Sequence, residues 1–182
     1  MLGPNLYNKG VSITNGGVFN CTREHYTIIK QAYLKGLNSV AIIEDDVSFY
    51  NDFNLWELYM NNIPQDWDIL RIGSLRSIAE RQYCDNTSNL WVLQENVLWG
   101  TQFYALNRKG MKYIIDFIDT VYTPIDLPLA YYRSDINVYI PNKELCICLE
   151  DSYISDIRGD ISDDPISKYI DTITNLNKKD YI

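Results

Sequence analysis

Apolar and polar positions along this chain alternate between two periods, one helical and one extended. Over residues 20–36, NCTREHYTIIKQAYLKG, the helical spacing places Cys21, His25, Ile28 and Ala32 on one face. Asn20 or Thr22 is suited to cap this helix and Gly36 to close it. The next segment, SVAIIE, is a continuous β-branched run, the pattern of a strand buried on both faces of a parallel sheet. DFNLWELYMNNIP predicts a second helix that starts at Asn51 or Asp52 and stops before Pro64. DILRIG predicts a short strand ending in Gly73, and the polar residues 74–89 a loop. LWVLQ, TQFYALN, VYI and ELCICLE read as further strands; RKGMKYIIDFIDT and the shorter PIDLPLAYYRS read as helices. The alternation predicts an α/β fold, a mostly parallel sheet with flanking helices. Residues 1–19 are a Gly- and Asn-rich lead-in without periodicity. Residues 1–150 then form the main domain, and residues 151–182 an acidic linker and a terminal helix, PISKYIDTITNL, packed on it.

Composition narrows the function classes. At 182 residues the chain suits one domain with a sizeable core, and its 15 tyrosines and 4 tryptophans support burial rather than disorder. A net charge of -8 argues against a nucleic-acid partner, which needs a basic face. It leaves room for one anionic ligand held through a metal ion. The cysteines, at 21, 84, 146 and 148, form no CxxC pair, and the CxC at 146–148 reads as core. Reduced thiols, no signal peptide and no transmembrane segment fit a cytoplasmic location, extending to the membrane periphery.

The candidate chemistry begins where the apolar run ends, at Glu44-Asp45-Asp46. In a strand Glu44 and Asp46 share a side and Asp45 opposes them. The carboxyl ends of strands in open α/β sheets are where ligands bind. Adjacent carboxylates are costly to pack without a neutralising cation, and Mg²⁺ or Mn²⁺ takes carboxylate oxygens together with phosphate oxygens. Glu44 and Asp46 are therefore candidate ligands of a metal that binds a diphosphate, with Asp45 as a direct or water-mediated ligand or as a brace for the loop. The competing reading is a solvated acidic turn. A phosphoacceptor receiver domain is disfavoured, because DILRIG offers no Asp at its carboxyl end.

Four segments in order resemble glycosyltransferase family 25, which includes lipooligosaccharide-type and collagen galactosyltransferases. GVFNCTREHYTIIKQA is similar to the family's Gly-x-x-x-Cys-x-x-Ser-His entry to a helix, with Glu24 where Ser is usual. AIIEDDVSF is similar to its Leu-Glu-Asp-Asp-Val signature, and DWDILRIG to its Trp-Asp strand. GTQFYALNRKGMKYII with PIDLPL resembles its Tyr-containing strand, Lys-Gly helix and Pro-x-Asp segment. The resemblance implies a GT-A-like (Rossmann-like) fold, a nucleotide-sugar donor (a UDP-sugar in most members), a DxD-type Mn²⁺ or Mg²⁺ site and inversion at the anomeric carbon. It also implies a first strand, bearing an Asn-Leu and arginines, ahead of the Cys-x-x-Ser-His helix, and residues 1–16 do not read as that strand.

Roles follow from what such a reaction needs: a base for the acceptor hydroxyl and charge stabilisation of the leaving diphosphate. Asp126 in PIDLPL matches Pro-x-Asp and is the candidate base, an ordinary helix N-cap being the alternative; Asp156 is a second candidate. His25, the single histidine, is expected beside the acids, contacting substrate or buried as a hydrogen-bonded core residue. Arg71, Arg76 and Arg81 are candidates for phosphate, Arg76 being the best placed. Trp99 and Thr101, with Tyr104, can line an acceptor pocket, with core packing as the competing role for Tyr104. The expected activity is metal-dependent inverting transfer from a nucleotide-sugar to a glycan or glycoconjugate. A non-catalytic domain that binds sugar or protein is the alternative, and a metal-dependent phosphoesterase a weaker third.

Overall fold

A computed structural model describes residues 16–45, 47–49, 52–75, 88–95 and 97–148. The linker and terminal helix expected over 151–182, and the lead-in up to residue 15, lie outside the described residues. The elements run α1 (Gly16–Leu34), β1 (Ser39–Ile43), β2 (Val47–Phe49), α2 (Phe53–Asn61), β3 (Ile69–Leu75), β4 (Trp91–Leu93), β5 (Trp99–Asn107), α3 (Arg108–Thr120), α4 (Asp126–Ala130), β6 (Val138–Pro141) and β7 (Cys146–Cys148).

Helix boundaries follow local chemistry. Gly36 adopts φ +74, and Leu37 N–H donates to Ala32 O while Gly36 N–H donates to Tyr33 O, the double bond pattern of a glycine-closed helix end. The start of α1 differs from expectation: it lies at Gly16, so Asn20 and Thr22 sit inside the helix and cap nothing. Its inward face is Thr22, His25, Ile29 and Ala32, whereas Ile28 is exposed. Asp52 caps α2 by accepting from Leu55 N–H at 3.0 Å, and Asn107 caps α3 by accepting from Gly110 N–H at 2.8 Å.

The main sheet has the order β1-β5-β3-β6-β4. It corrects the expectation of a mostly parallel sheet: only β3 and β6 are parallel, and the other three pairings are antiparallel. The physical reason is β5. Nine residues long, it inserts between β1 and β3 and runs against both. Strands β1 and β3 do run the same way, as a βαβ reading implies, but they never touch as partners. Nor is β1 buried on both faces. It is an edge strand bonded only to β5, and within it only Ile42 is buried. A short ribbon of β2 against β7 forms a second sheet.

Two cores cover the two faces of the main sheet. Helices α1, α3 and α4 pack Ile29, Met111, Ile114 and Leu129 against Ile42, Ile69, Tyr104 and Leu106. On the other face Tyr59 of α2 joins Leu70, Ile72, Trp91, Phe103 and Cys146. The neighbouring pair Ile69 and Leu70 falls in different cores, as strand alternation requires. Cys146 is buried among these apolar residues.

The amino-terminal end of β3 is a structural joint. Buried Asp68 accepts from Lys109 Nζ at 2.7 Å, from Asn137 N–H at 3.0 Å and from Asn107 Nδ2 at 3.2 Å. Gly110 lies so close beneath that a Cβ there would meet Asp68 O at 2.3 Å. The Trp-Asp and Lys-Gly segments are thus one contact that seats α3 on the sheet, at the end of β3 away from the acids.

Candidate active site

The carboxyl end of β1, the amino end of β5 and the first turn of α4 converge under α1. Beyond Ile43 the chain leaves the strand: Glu44 N–H still bonds Gln102 O at 2.9 Å, and Val47 N–H reaches back to Glu44 O at 3.4 Å. The three acids consequently do not share a strand. Glu44 turns inward and is half-buried, its carboxylate accepting from the Thr101 hydroxyl, whereas Asp45 is exposed on the turn. Asp46 lies outside the described residues.

Glu44 meets α1 through His25, whose Nε2 stands 3.5 Å from its Oε1. The other ring nitrogen, Nδ1, lies 2.8 Å from the Tyr104 hydroxyl, and the two rings stack with centroids 5.8 Å apart. Burial holds the His25 pKa below its ordinary value, partly offset by Glu24. The imidazole is therefore neutral at pH 7, and its contact with Glu44 is a polar one rather than an ion pair. Cys21, one turn before His25, is pushed up to about 11, by burial first and then by Glu44, Asp126 and Glu24. The described residues thus place His25 beside Glu44 and Thr101, with both a substrate role and a core role open to it.

Asp126 is the first residue of α4 and does not cap it; the cap position belongs to Ile125, with no side-chain bond. This removes the N-cap alternative. Burial raises the Asp126 pKa, opposed by Arg71 and by a bond from Gly100 N–H. Its Oδ1 is enclosed with no hydrogen-bond partner, which leaves an oxygen unassigned within the site. Thr22 helps position it, since the Thr22 hydroxyl accepts from the neighbouring Ile125 N–H at 3.2 Å and ties α1 to the entry of α4.

Arg71 and Gly100 complete the arrangement, and sequence reasoning missed both in these roles. Arg71, one of the candidates for phosphate, is fully buried. Its guanidinium donates to Leu98 O, Gly100 O and Leu129 O, binding the strand entry of β5 to α4. Burial lowers its pKa to about 10, with Asp126 the first of the groups that support the charge, so it stays cationic at neutral pH. Gly100 adopts φ +91 and so directs its N–H to Asp126 and its carbonyl to Arg71. A lone cation in an apolar strand and a glycine at the opening of another were the available signals. Trp99 is half-buried at the amino end of β5, edge-on to Tyr131 with centroids 6.1 Å apart. Arg76, Arg81 and Asp156 lie outside the described residues.

For a hard divalent cation the fit is divided. Exposed Asp45 offers oxygens at the sheet edge, but the Glu44 carboxylate is engaged inward with Thr101 and sits against a nitrogen and near a thiol. Glu44 would turn toward a hard ion at the turn only by releasing Thr101.

The profile of glycosyltransferase family 25 (LPS biosynthesis protein) matches residues 5–129. The chain belongs to this family. The match takes in the segment before Gly17 that composition alone reads as a lead-in, and it runs through Asp126 into α4. The chain is also 27% identical over 133 residues to procollagen galactosyltransferase 2 of Homo sapiens, covering 68% of this chain and 21% of that protein. It spans about a fifth of that relative's length. The α/β fold is consistent with membership of this glycosyltransferase family. Among the described residues no helix is long and apolar enough to cross a membrane.

Proposed function

We propose that this chain transfers a sugar from a nucleotide-sugar, a UDP-sugar being the first donor to try, to a glycan or glycoconjugate hydroxyl with inversion. The observation that supports it most is Asp126: a half-buried carboxylate with a raised pKa, one unpartnered oxygen and two positioning partners, inside the family-matched segment. As base, Asp126 takes the acceptor hydroxyl proton while that oxygen attacks the anomeric carbon. The new glycosidic bond forms as the bond to the diphosphate oxygen breaks, and the nucleoside diphosphate leaves with the electron pair. A raised pKa brings the base closer to working pH, where general-base transfer is most efficient. Arg71 and Gly100 orient it. His25, Thr101 and Glu44 form one wall, and Trp99 offers an aromatic edge at the strand entry where a sugar ring can pack. Mn²⁺ or Mg²⁺, when bound, would neutralise the diphosphate. Asp45 and Asp46 are the acids we assign to hold it, with Glu44 behind them, and Arg76 to meet phosphate.

The test is a nucleotide-sugar panel with Mn²⁺ or Mg²⁺, reading thermal shift and donor consumption, with Glu44→Ala and Asp46→Ala beside wild type. Transfer predicts that at least one donor shifts and is consumed by wild type and that both variants lose consumption. A shift without consumption supports the non-catalytic sugar-binding reading. No shift with any donor, or variants that respond like wild type, contradicts the assignment.

A further inference from the structure

We propose a second metal site of a different chemical class: a zinc-type centre formed by Cys21, His25 and Glu44. It goes beyond sugar transfer and beyond the hard cation assigned to the acidic turn. One ligand atom from each residue, the Cys21 sulfur, a His25 ring nitrogen and a Glu44 carboxylate oxygen, lies within 4.8 Å of the others. Tetrahedral zinc with ordinary bond lengths sets nitrogen and oxygen ligands about 3.4 Å apart, and sulfur about 3.6 Å from either. His25 Nε2 and Glu44 Oε1 already stand at 3.5 Å. Closing the widest gap takes a shift of about 1 Å, within reach of side-chain torsions.

The surroundings match what a bound transition metal needs. Cys21 and His25 are one helical turn apart on α1, so both point to the same side, and Glu44 arrives from the end of β1. The remaining nitrogen of His25 faces the Tyr104 hydroxyl at 2.8 Å, the second partner that fixes ring orientation in metal-bound histidines. Thr101 holds the Glu44 carboxylate in the same way. Glu44 and Cys21 are half-buried rather than sealed, which gives an ion a way in. A sulfur, a nitrogen and an oxygen select zinc or cobalt over magnesium, calcium or manganese. Three protein ligands leave the fourth position to water or a substrate oxygen, and binding releases the Cys21 thiol proton to solvent. An ion here would clasp α1 to the start of the acidic turn.

The experiment uses reduced, chelator-stripped full chain in buffer without nucleotide-sugar, titrated with Co²⁺ and then with Zn²⁺ against a chromophoric chelator. The expected result is one equivalent bound, with thiolate-to-cobalt charge-transfer absorption that zinc abolishes. Cys21→Ser should remove that absorption, His25→Gln should weaken zinc by about 100-fold or more, and Tyr104→Phe by about 10-fold. Should Cys21→Ser fold poorly, alkylation of the wild-type thiols mapped by mass spectrometry reports the same contact, with zinc protecting Cys21. No charge-transfer band in wild type, a band that survives in folded Cys21→Ser, or zinc protection of another cysteine alone overturns the site. None of these readouts depends on sugar transfer.

Discussion

The two faces of the sheet are built to different rules. Toward α2, the core is almost wholly apolar and aromatic: Tyr59 and Trp91 meet edge-on at 5.8 Å, and Trp56 stacks on Phe103 at 6.0 Å. Toward α1, α3 and α4, a core of similar residues is threaded by His25, Arg71, Tyr104, Glu44 and Asp126. Buried titratable groups lower stability unless each is partnered, and Asp126 keeps one oxygen that is not. A fold selected for stability alone would fill that space with carbon. The contrast therefore separates a face that holds the molecule together from the face on which we place its proposed chemistry.

Breaking the apolar face should give the largest change in stability. Trp91→Ala removes a buried indole and its bond to Tyr59 O, and should cost about 3–5 kcal/mol. Denaturant titration measures that loss, and the rate per folded molecule should stay at the wild-type value. A smaller loss is expected on the polar face from Gly100→Ala. The positive φ makes any side chain strained there by about 1–2 kcal/mol. Because Gly100 aims its N–H at Asp126, turnover should fall by roughly 10-fold or more, out of proportion to the stability change. Equal losses of rate and stability would make Gly100 merely structural.

The smallest effect is a pH profile. The folded pKa of His25 lies below its unfolded value because burial disfavours the imidazolium. On acidification the unfolded chain takes the proton first. The contribution is fully present above the ordinary histidine value and is lost as pH falls through the folded one. Thermal melts of wild type and His25→Gln across that window should converge toward acid, the variant having the flatter profile.

What the chain's pattern made legible follows the same division. Elements set by local chemistry were readable: Arg108–Thr120 is the predicted helix end to end, and the Asp52 start and Gly36 stop are where their residue types place them. Sheet direction was not, since nothing in SVAIIE records that TQFYALN will lie beside it in reverse. That pairing depends on residues some sixty positions apart in the chain. The same non-local step hid the fate of Glu44. Strand alternation grouped it with Asp46, but the turn after Ile43 and the Thr101 hydroxyl draw it inward. Asp126 was singled out through its Pro-x-Asp context, and the structure adds its surroundings: burial, a bond from Gly100 N–H and an Oδ1 without a partner. Arg71 was read only as a candidate for phosphate, because its three carbonyl partners come from two segments distant in the chain.

Asp126→Asn tests the central claim most directly, with donor consumption and stability measured on the same preparation. Asparagine keeps the shape and can still accept from Gly100 N–H, but it cannot act as a base. Turnover should fall by about 10²–10⁴-fold. Stability should move the other way. The folded pKa of Asp126 is raised, so keeping its carboxylate ionised costs stability as pH climbs from the ordinary carboxylate value through the folded one. At neutral pH the variant should be at least as stable as wild type, with the advantage fading toward acid. Wild-type turnover in a folded Asp126→Asn protein would contradict the account.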